Sequence, residues 1–243
     1  MAIAGNGIAV DAACVVLGGK SVLSDVTLEL REHRIGIIGR NGSGKTTLLR
    51  LIAGLIAPTS GRVTVGGLDP AKARKAMLGQ IGILFQNPDH QILFPTVAEE
   101  LGFGLLQMGI APDEAEARVQ RLLGAEGRSH WAKAPTHTLS QGQRHYLCLL
   151  AVLLMGPATL LLDEPYAGLD LPTVARLTRR IAGLGQQVIT ISHDPAAVAD
   201  SDRVIWLNGG RVQDDGPAAA VLARFRAAMT RIGEQDADAD LPG

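Results

Sequence analysis

The chain has 243 residues, 47% of them hydrophobic and 19% charged, with a formal net charge of −1. That length suits one large α/β domain or two smaller lobes, with ample apolar material for a core. The near-neutral balance lacks the basic stripe of a nucleic-acid binder, and 3% aromatic residues leaves few platforms on which bases could stack.

In chain order, residues 8–31 read as antiparallel strands around the turn "LGGK". "RIGIIG" (34–39) is continuously apolar, as a strand buried on both faces of a parallel sheet must be. It runs into "GRNGSGKT", Gly39 to Thr46, which matches G-x-x-x-x-G-K-[ST] and opens the helical pattern "TTLLRLIAGL". The glycines let backbone N–H groups curl around phosphate, and the helix N-terminus adds a favourable dipole. Gly39, Asn41, Gly42, Ser43, Gly44 and Thr47 are the candidate cradle. Lys45 reaches the terminal phosphates, and the Thr46 hydroxyl can ligate Mg²⁺. A dinucleotide fingerprint, G-x-G-x-x-G, is not spelled here. This segment therefore predicts binding of a nucleoside triphosphate.

"IGILF" (81–85) is a second buried strand, with Gln86 at its end, and "FQNPDHQILF" then turns abruptly polar. Between 95 and 138, "TVAEELGFGLLQMG" and "PDEAEARVQRLLGAEG" are amphipathic and helical, the second with an acidic first turn suited to a helix N-terminus. No strand pattern interrupts them, which predicts a helical lobe, approximately 87–156, inserted into the sheet domain. In "LSQGQRHYLCLLAVLLM" (139–155), Ser140 and Gln143 form the S-x-x-Q capping box of a helix start. A capped helix N-terminus is also a phosphate site, and the residues alone leave both readings open.

"YLCLLAVLLMGPATLLL" (146–162) approaches the roughly 20 apolar residues of a membrane span. Gly156 and Pro157 interrupt it, and Asp163 and Glu164 follow at once, so a buried helix, a turn and a buried strand are expected. Asp163 at the carboxyl end of that strand sits where α/β sheets bind ligands and can hold Mg²⁺. Glu164 beside it can polarise the attacking water. "QVITIS" (187–192) ends in the same way at His193, which points to a role at the γ-phosphate. "VIWLNGGRV" (204–212) reads as a hairpin, and the tail 233–243, without apolar anchors, is expected to be disordered. Cys14 and Cys148 share no metal-like spacing and read as buried free thiols of a reducing cytosol. The N-terminus shows no basic segment leading into an apolar one, so a soluble protein is expected.

The P-loop, Gln86, "LSQGQ", "LLLDEP", "AGLD" (167–170) and His193 stand in the order and spacing of the ATP-binding-cassette family. The resemblance covers about residues 8 to 225. It implies an α/β fold: a P-loop NTPase core with a RecA-like parallel sheet, an N-terminal antiparallel β subdomain and an inserted α-helical subdomain, one domain over 1–232. It also implies a head-to-tail dimer with a second ATPase protomer, the same chain or a close paralogue. Each ATP would lie between one P-loop and the Ser140, Gly142 and Gln143 segment of the other protomer. By the same resemblance Glu164, His193 and Gln86 are catalytic, Thr46, Gln86 and Asp163 hold Mg²⁺, and Asp170 links the two composite sites. Two departures stand out. Gln141 replaces the usual glycine, which would cost on the order of 1 kcal/mol if that position needed φ > 0. Val16 and Leu17 stand where an aromatic usually stacks on adenine, so apolar contact is expected there.

Within the family, "FQNPDHQILFPTVAEELGFG" resembles the ATPases of energy-coupling-factor importers, which take up vitamins and transition-metal ions. Asn87, Pro88, Asp89 and Gln91 match that motif, as do Val97, Glu99 and Glu100. The implied partners are a transmembrane coupling protein and, indirectly, a membrane substrate-binding subunit. The implied location is peripheral, on the cytoplasmic face of the inner membrane, with no nucleic acid involved. Pro88 would stiffen the loop, Asp89 would pair with a partner arginine, and Ile92, Leu93 and Phe94 would line a groove for a coupling helix. The alternatives are the ATPase of a binding-protein-dependent importer and a non-transport ATPase acting on DNA or ribosomes. Biotin-type and cobalt- or nickel-type members look alike in this stretch; the short C-terminal region leans toward biotin.

Overall fold

The computed structural model of the protein describes residues 7–234. Strands β1 (Ile8–Leu17) and β2 (Lys20–Leu30) form the expected hairpin, and its two-residue turn places Gly18 and Gly19 at φ +53° and +77°. Such a turn needs residues that tolerate positive φ at both positions. Strand β4 (Ser60–Val65) pairs with β1 and completes a three-stranded antiparallel sheet in the order β2-β1-β4. The sequence reading did not single out β4, because only Val63 and Val65 turn inward and its first half is exposed.

The second sheet has six strands in the order β5-β6-β7-β3-β8-β9. Strands β3 (Arg34–Ile38), β5 (Ile81–Leu84), β6 (Thr159–Asp163), β7 (Gln187–Ser192) and β8 (Arg203–Asn208) run parallel. Strand β9 (Arg211–Pro217) returns antiparallel on β8 through the Gly209–Gly210 turn. Every residue of β6 and β7 is buried. Leu161 packs into the core shared with the antiparallel sheet, whereas Leu160 and Leu162 pack into a second core on the opposite face. Because successive strand residues face opposite sides, a strand covered on both needs an unbroken apolar run.

Helix α1 (Lys45–Ile52) follows β3 and fills the first core with Leu48, Leu49, Leu51 and Ile52; the short α2 (Arg74–Met77) adds Met77. Between β5 and β6 the described residues form no strand of either sheet. They form α3 (Val97–Gln107), α4 (Pro112–Ala125) and α5 (Gln141–Met155), which build the second core with Leu84, Leu160 and Leu162. Helix α5 stops at Gly156, φ +69°, and β6 starts three residues later. Among the described residues no helix is long and apolar enough to cross a membrane.

Helix α6 (Leu171–Ala182) joins β6 to β7. The loop that follows it is gathered by Arg34, whose guanidinium donates to the carbonyls of Leu184 (2.7 Å) and Gln186 (2.8 Å). Helix α7 (Ala218–Glu234) covers β8, with Phe225 meeting Trp206 edge to face. It includes Gly233 and Glu234, so the tail expected to start at 233 is helical there; residues 235–243 lie outside the described residues.

Candidate functional site

The parallel register places Ile38 beside Ser192 and Asp163 beside Ile191, so β3, β6 and β7 end along one edge of the sheet. The chain leaves β3 through the glycine-rich loop, with Gly42 at φ +77° and Gly44 at φ +101°. Gly44 caps α1 without a side-chain hydrogen bond, which leaves the first N–H groups of the helix without a side-chain cap. The buried Ser43 Oγ likewise has no hydrogen-bond partner among the described residues. Lys45 Nζ donates to the carbonyls of Gly39 (2.7 Å) and Arg40 (3.0 Å), which arches the side chain over the loop. Burial lowers its pKa, while Glu164 and Asp163 act to raise it. Orphaned donors around a desolvated ammonium form an anion site, and its size and polarity fit a phosphate chain.

Thr46 Oγ1 donates to Asp163 Oδ1 at 3.3 Å. Asp163 is only 6% exposed, and burial raises its carboxyl pKa; the Thr46 hydrogen bond opposes the rise and neighbouring Glu164 adds to it. A hydroxyl and a buried carboxylate side by side are oxygen donors of the kind Mg²⁺ takes.

Glu164 adopts φ +47°, a left-handed conformation uncommon outside glycine. Its backbone N–H donates to Ile191 O at 2.9 Å. Its Oε2 accepts from Ser192 Oγ (2.7 Å), and its Oε1 accepts from the His193 backbone N–H (2.9 Å) and lies 2.8 Å from His193 Nδ1. Because a carboxylate oxygen accepts, the proton in this last contact is assigned to Nδ1. Ser192 was not among the residues singled out from sequence. Its position as the last residue of β7, on the edge where β6 ends, was the available signal.

Asn41, Gly42, Ser43, Gly44, Lys45, Thr46, Thr47, Gln86, Glu164 and His193 line one open cavity of about 290 Å³, joined by Val22 from β2. Val22 was not anticipated; the antiparallel sheet reaches the loop there, and a Cβ on Gly44 would sit 3.0 Å from the Val22 carbonyl. Gly39 supports the loop from below, since a Cβ would lie 2.3 Å from Leu207 O. Val16 and Leu17 are exposed at the β1–β2 tip, available for apolar contact.

Ser140, Gly142 and Gln143 do not line this cavity. Both halves of the capping box form: Gln143 N donates to Ser140 Oγ (3.3 Å), and Ser140 N donates to Gln143 Oε1 (2.8 Å). Gln143 thus turns its side-chain oxygen to its own helix. Gln141 is the first residue of α5 and is not among the positive-φ residues, so the condition under which glutamine would cost stability there is not met. Gly142 packs against α6, where a Cβ would meet Thr173 at 3.0 Å. Asp170 caps α6 by accepting from Thr173 N at 3.0 Å, and the hydrogen bonds with Thr173 hold its carboxyl pKa below the ordinary range.

The residues expected to face a partner are tied largely inward. Asn87 Oδ1 accepts from Asp89 N (2.9 Å), and Pro88 is buried. Gln91 accepts from Phe85 N (3.2 Å) and donates to Ile83 O (3.3 Å), so it braces the end of β5. Asp89, expected to await an arginine from outside, already lies 3.0 Å from Arg144 of α5. Glu100 is buried and fixes the following turn, accepting from Leu93 N (2.8 Å) and Phe94 N (3.0 Å), and Glu99 completes a capping box with Thr96. Of the apolar trio, Leu93 is exposed, while Ile92 and Phe94 are partly buried, Phe94 against Phe103. Cys148 is buried and its thiol pKa is pushed up to about 12 by burial. Cys14, expected to be buried, is partly exposed, and its sulfur accepts from Asp25 N.

Residues 23–167 match the sequence profile of the ABC transporter family. The chain is 52% identical over 219 residues to the biotin transport ATP-binding protein BioM of Rhodobacter capsulatus, covering 90% of this chain and 94% of that one. Its fold is similar to that of cbiO1 from Clostridium perfringens, part of the ABC transporter complex cbiONQ, with a TM-score of 0.76, 30% identity and 93% of each chain covered. It is also similar to the ATP-binding cassette MJ0796, solved as a dimer in a post-hydrolysis state bound to ADP and Pi. There the TM-score is 0.75 at 25% identity, over 87% of this chain and 98% of the other.

Proposed function

The chain belongs to the ATP-binding-cassette transporter family, and on that footing we propose that it is the ATP-hydrolysing subunit of an energy-coupling-factor importer for biotin. The observation that carries this reading is the 52% identity to a biotin transport ATP-binding protein across nine-tenths of the chain. The working unit is a head-to-tail dimer. Each cavity supplies half a site, and the partner protomer's Ser140 and Gly142 segment supplies the other half.

In this reading the backbone N–H groups of residues 42–47, the orphaned Ser43 hydroxyl and Lys45 take the phosphate chain of ATP. Thr46 and Asp163, with Gln86 at the rim, would hold Mg²⁺, whose oxygen-donor requirement they meet. When bound, that ion neutralises phosphate charge as it builds during transfer. Glu164 accepts the proton of the attacking water, and Ser192 and His193 hold its carboxylate in place. With Nδ1 directed at Glu164, a contact of the other ring nitrogen of His193 with a γ-phosphate oxygen requires that nitrogen to carry a proton too, so that both ring nitrogens donate. Asp170 and Gln86 pass nucleotide state to the other protomer and to the helices between β5 and β6.

The chain would sit on the cytoplasmic face of the membrane against a transmembrane coupling protein, with Leu93 and its neighbours contacting a coupling helix. The test is co-expression with the coupling protein and substrate-binding subunit, followed by purification and biotin uptake into vesicles. Co-purification and ATP-dependent uptake, abolished by Glu164→Gln, are expected. Uptake that requires a soluble binding protein would favour an ordinary cassette importer. Co-purification with DNA or ribosomes would overturn the transport reading.

A further inference from the structure

Three consecutive residues of α5, one turn beyond Ser140, each reach a different neighbour. Arg144 Nε lies 3.0 Å from Asp89 Oδ1, in the loop that leaves Gln86, and its Nη1 donates to Leu139 O at 3.1 Å, the carbonyl just before Ser140. His145 is buried, and the backbone of Pro165, the residue after Glu164, acts to raise its pKa against the lowering by burial. Tyr146 Oη donates to Glu126 at 2.5 Å, and Glu126 pairs with Arg180 of α6 at 3.0 Å.

The first contact differs from the other two. The Arg144 Nε–H is not aligned on the Asp89 oxygen, so charge rather than a directed hydrogen bond holds the pair. Asp89 is 60% exposed, so water can take over its carboxylate when the contact loosens, while the 25% exposed Arg144 keeps its hydrogen bond to Leu139 O. The loop that carries Asp89 is stiff. Asn87 binds Asp89 N, Gln91 is tied to both Phe85 and Ile83, and Pro88 is buried against Cys148 of α5. A displacement of Gln86 in the phosphate cavity therefore reaches Asp89 with little loss. One guanidinium then carries it to the backbone that presents Ser140.

We propose that Arg144 is a positioning residue: through Asp89 it couples the nucleotide state of the chain's own phosphate cavity to the placement of Ser140 for the partner protomer's nucleotide. This deepens the dimer reading above and rests on it. It assigns Asp89 an intramolecular role in the ATPase cycle, distinct from contact with a membrane partner.

The test uses the purified full chain with Arg144→Gln, Asp89→Asn, the double variant and Arg144→Lys. Each single neutral variant is expected to lower kcat about five- to tenfold and to bring the Hill coefficient for ATP toward about 1. The Kd for a non-hydrolysable ATP analogue on the single subunit should stay within about twofold of wild type, because neither residue lines the cavity. The double variant should be no worse than either single, since one contact is removed twice. Arg144→Lys, which keeps the charge, should recover most of the loss. Wild-type kcat and cooperativity in Asp89→Asn, or losses that multiply in the double variant, would overturn the proposal. Should Arg144→Gln fail to fold, the exposed Asp89→Asn decides alone. A wild-type chain that stays monomeric and non-cooperative with ATP would sink the dimer reading itself, whatever the variants do.

Discussion

The Ser192 hydroxyl donates to Glu164 Oε2 at 2.7 Å, across the ends of the two neighbouring parallel strands β7 and β6. The other carboxylate oxygen is held by His193, and Ser192 Oγ itself accepts from Asp194 N at 3.1 Å. The carboxylate proposed as general base is thus oriented on both oxygens.

Ser192→Ala should leave one carboxylate oxygen without its donor. We expect kcat to fall about tenfold, the effect of losing one oriented hydrogen bond worth about 1.4 kcal/mol, with KM for ATP within about twofold. Steady-state ATPase kinetics check this; an unchanged kcat would show that His193 orients Glu164 alone.

Glu164→Gln keeps the shape of the side chain and removes its basicity. The expected outcome is ATP binding with hydrolysis reduced by at least about a hundredfold, and an ATP-trapped dimer on size exclusion. Hydrolysis at the wild-type rate would refute the base assignment.

Asp163→Asn should stabilise the nucleotide-free protein while abolishing Mg²⁺-dependent hydrolysis. Burial raises the Asp163 pKa above its ordinary value of 3.8, so the folded state holds the proton more tightly than the unfolded chain. Stability is therefore lost as pH rises from that ordinary value through the raised one, and the loss persists at neutral pH. A higher melting temperature than wild type at pH 7 is expected. The difference should vanish near pH 4 and below. Thermal melts of both proteins across pH, without nucleotide, measure it.

Gly39→Ala should destabilise the fold by about 2–3 kcal/mol and weaken nucleotide binding, because the added methyl meets the fixed Leu207 carbonyl at 2.3 Å. Gly142→Ala should cost less, since its methyl meets the Thr173 side chain at 3.0 Å and that side chain can turn away. Urea denaturation of both variants would rank them; equal losses would contradict this packing argument.

How much of this was legible in the residues follows from range. The glycine-rich loop, the strand runs "RIGII" and "TLLLD" and the S-x-x-Q cap depend on neighbours a few positions away, so "GRNGSGKT" announces a phosphate cradle by itself. Strand β4 escaped because half of it is exposed and its partner β1 lies some 50 residues earlier, a pairing no local pattern encodes.

Sequence alone determined the chemistry on offer: an ammonium at the start of the helix after the glycine-rich loop, and two adjacent carboxylates and a histidine at the ends of buried strands. Only the tertiary structure decided which groups meet. It set Ser192 on Glu164, brought Val22 to the P-loop and turned Gln91 back onto β5. It also set Asp89, 60% exposed, 3.0 Å from Arg144, an arginine of its own chain 55 positions along. The physical reason is that a side-chain contact depends on sheet order and helix packing, which arise from burial summed over the whole chain, whereas a backbone motif depends on the few dihedral angles it contains.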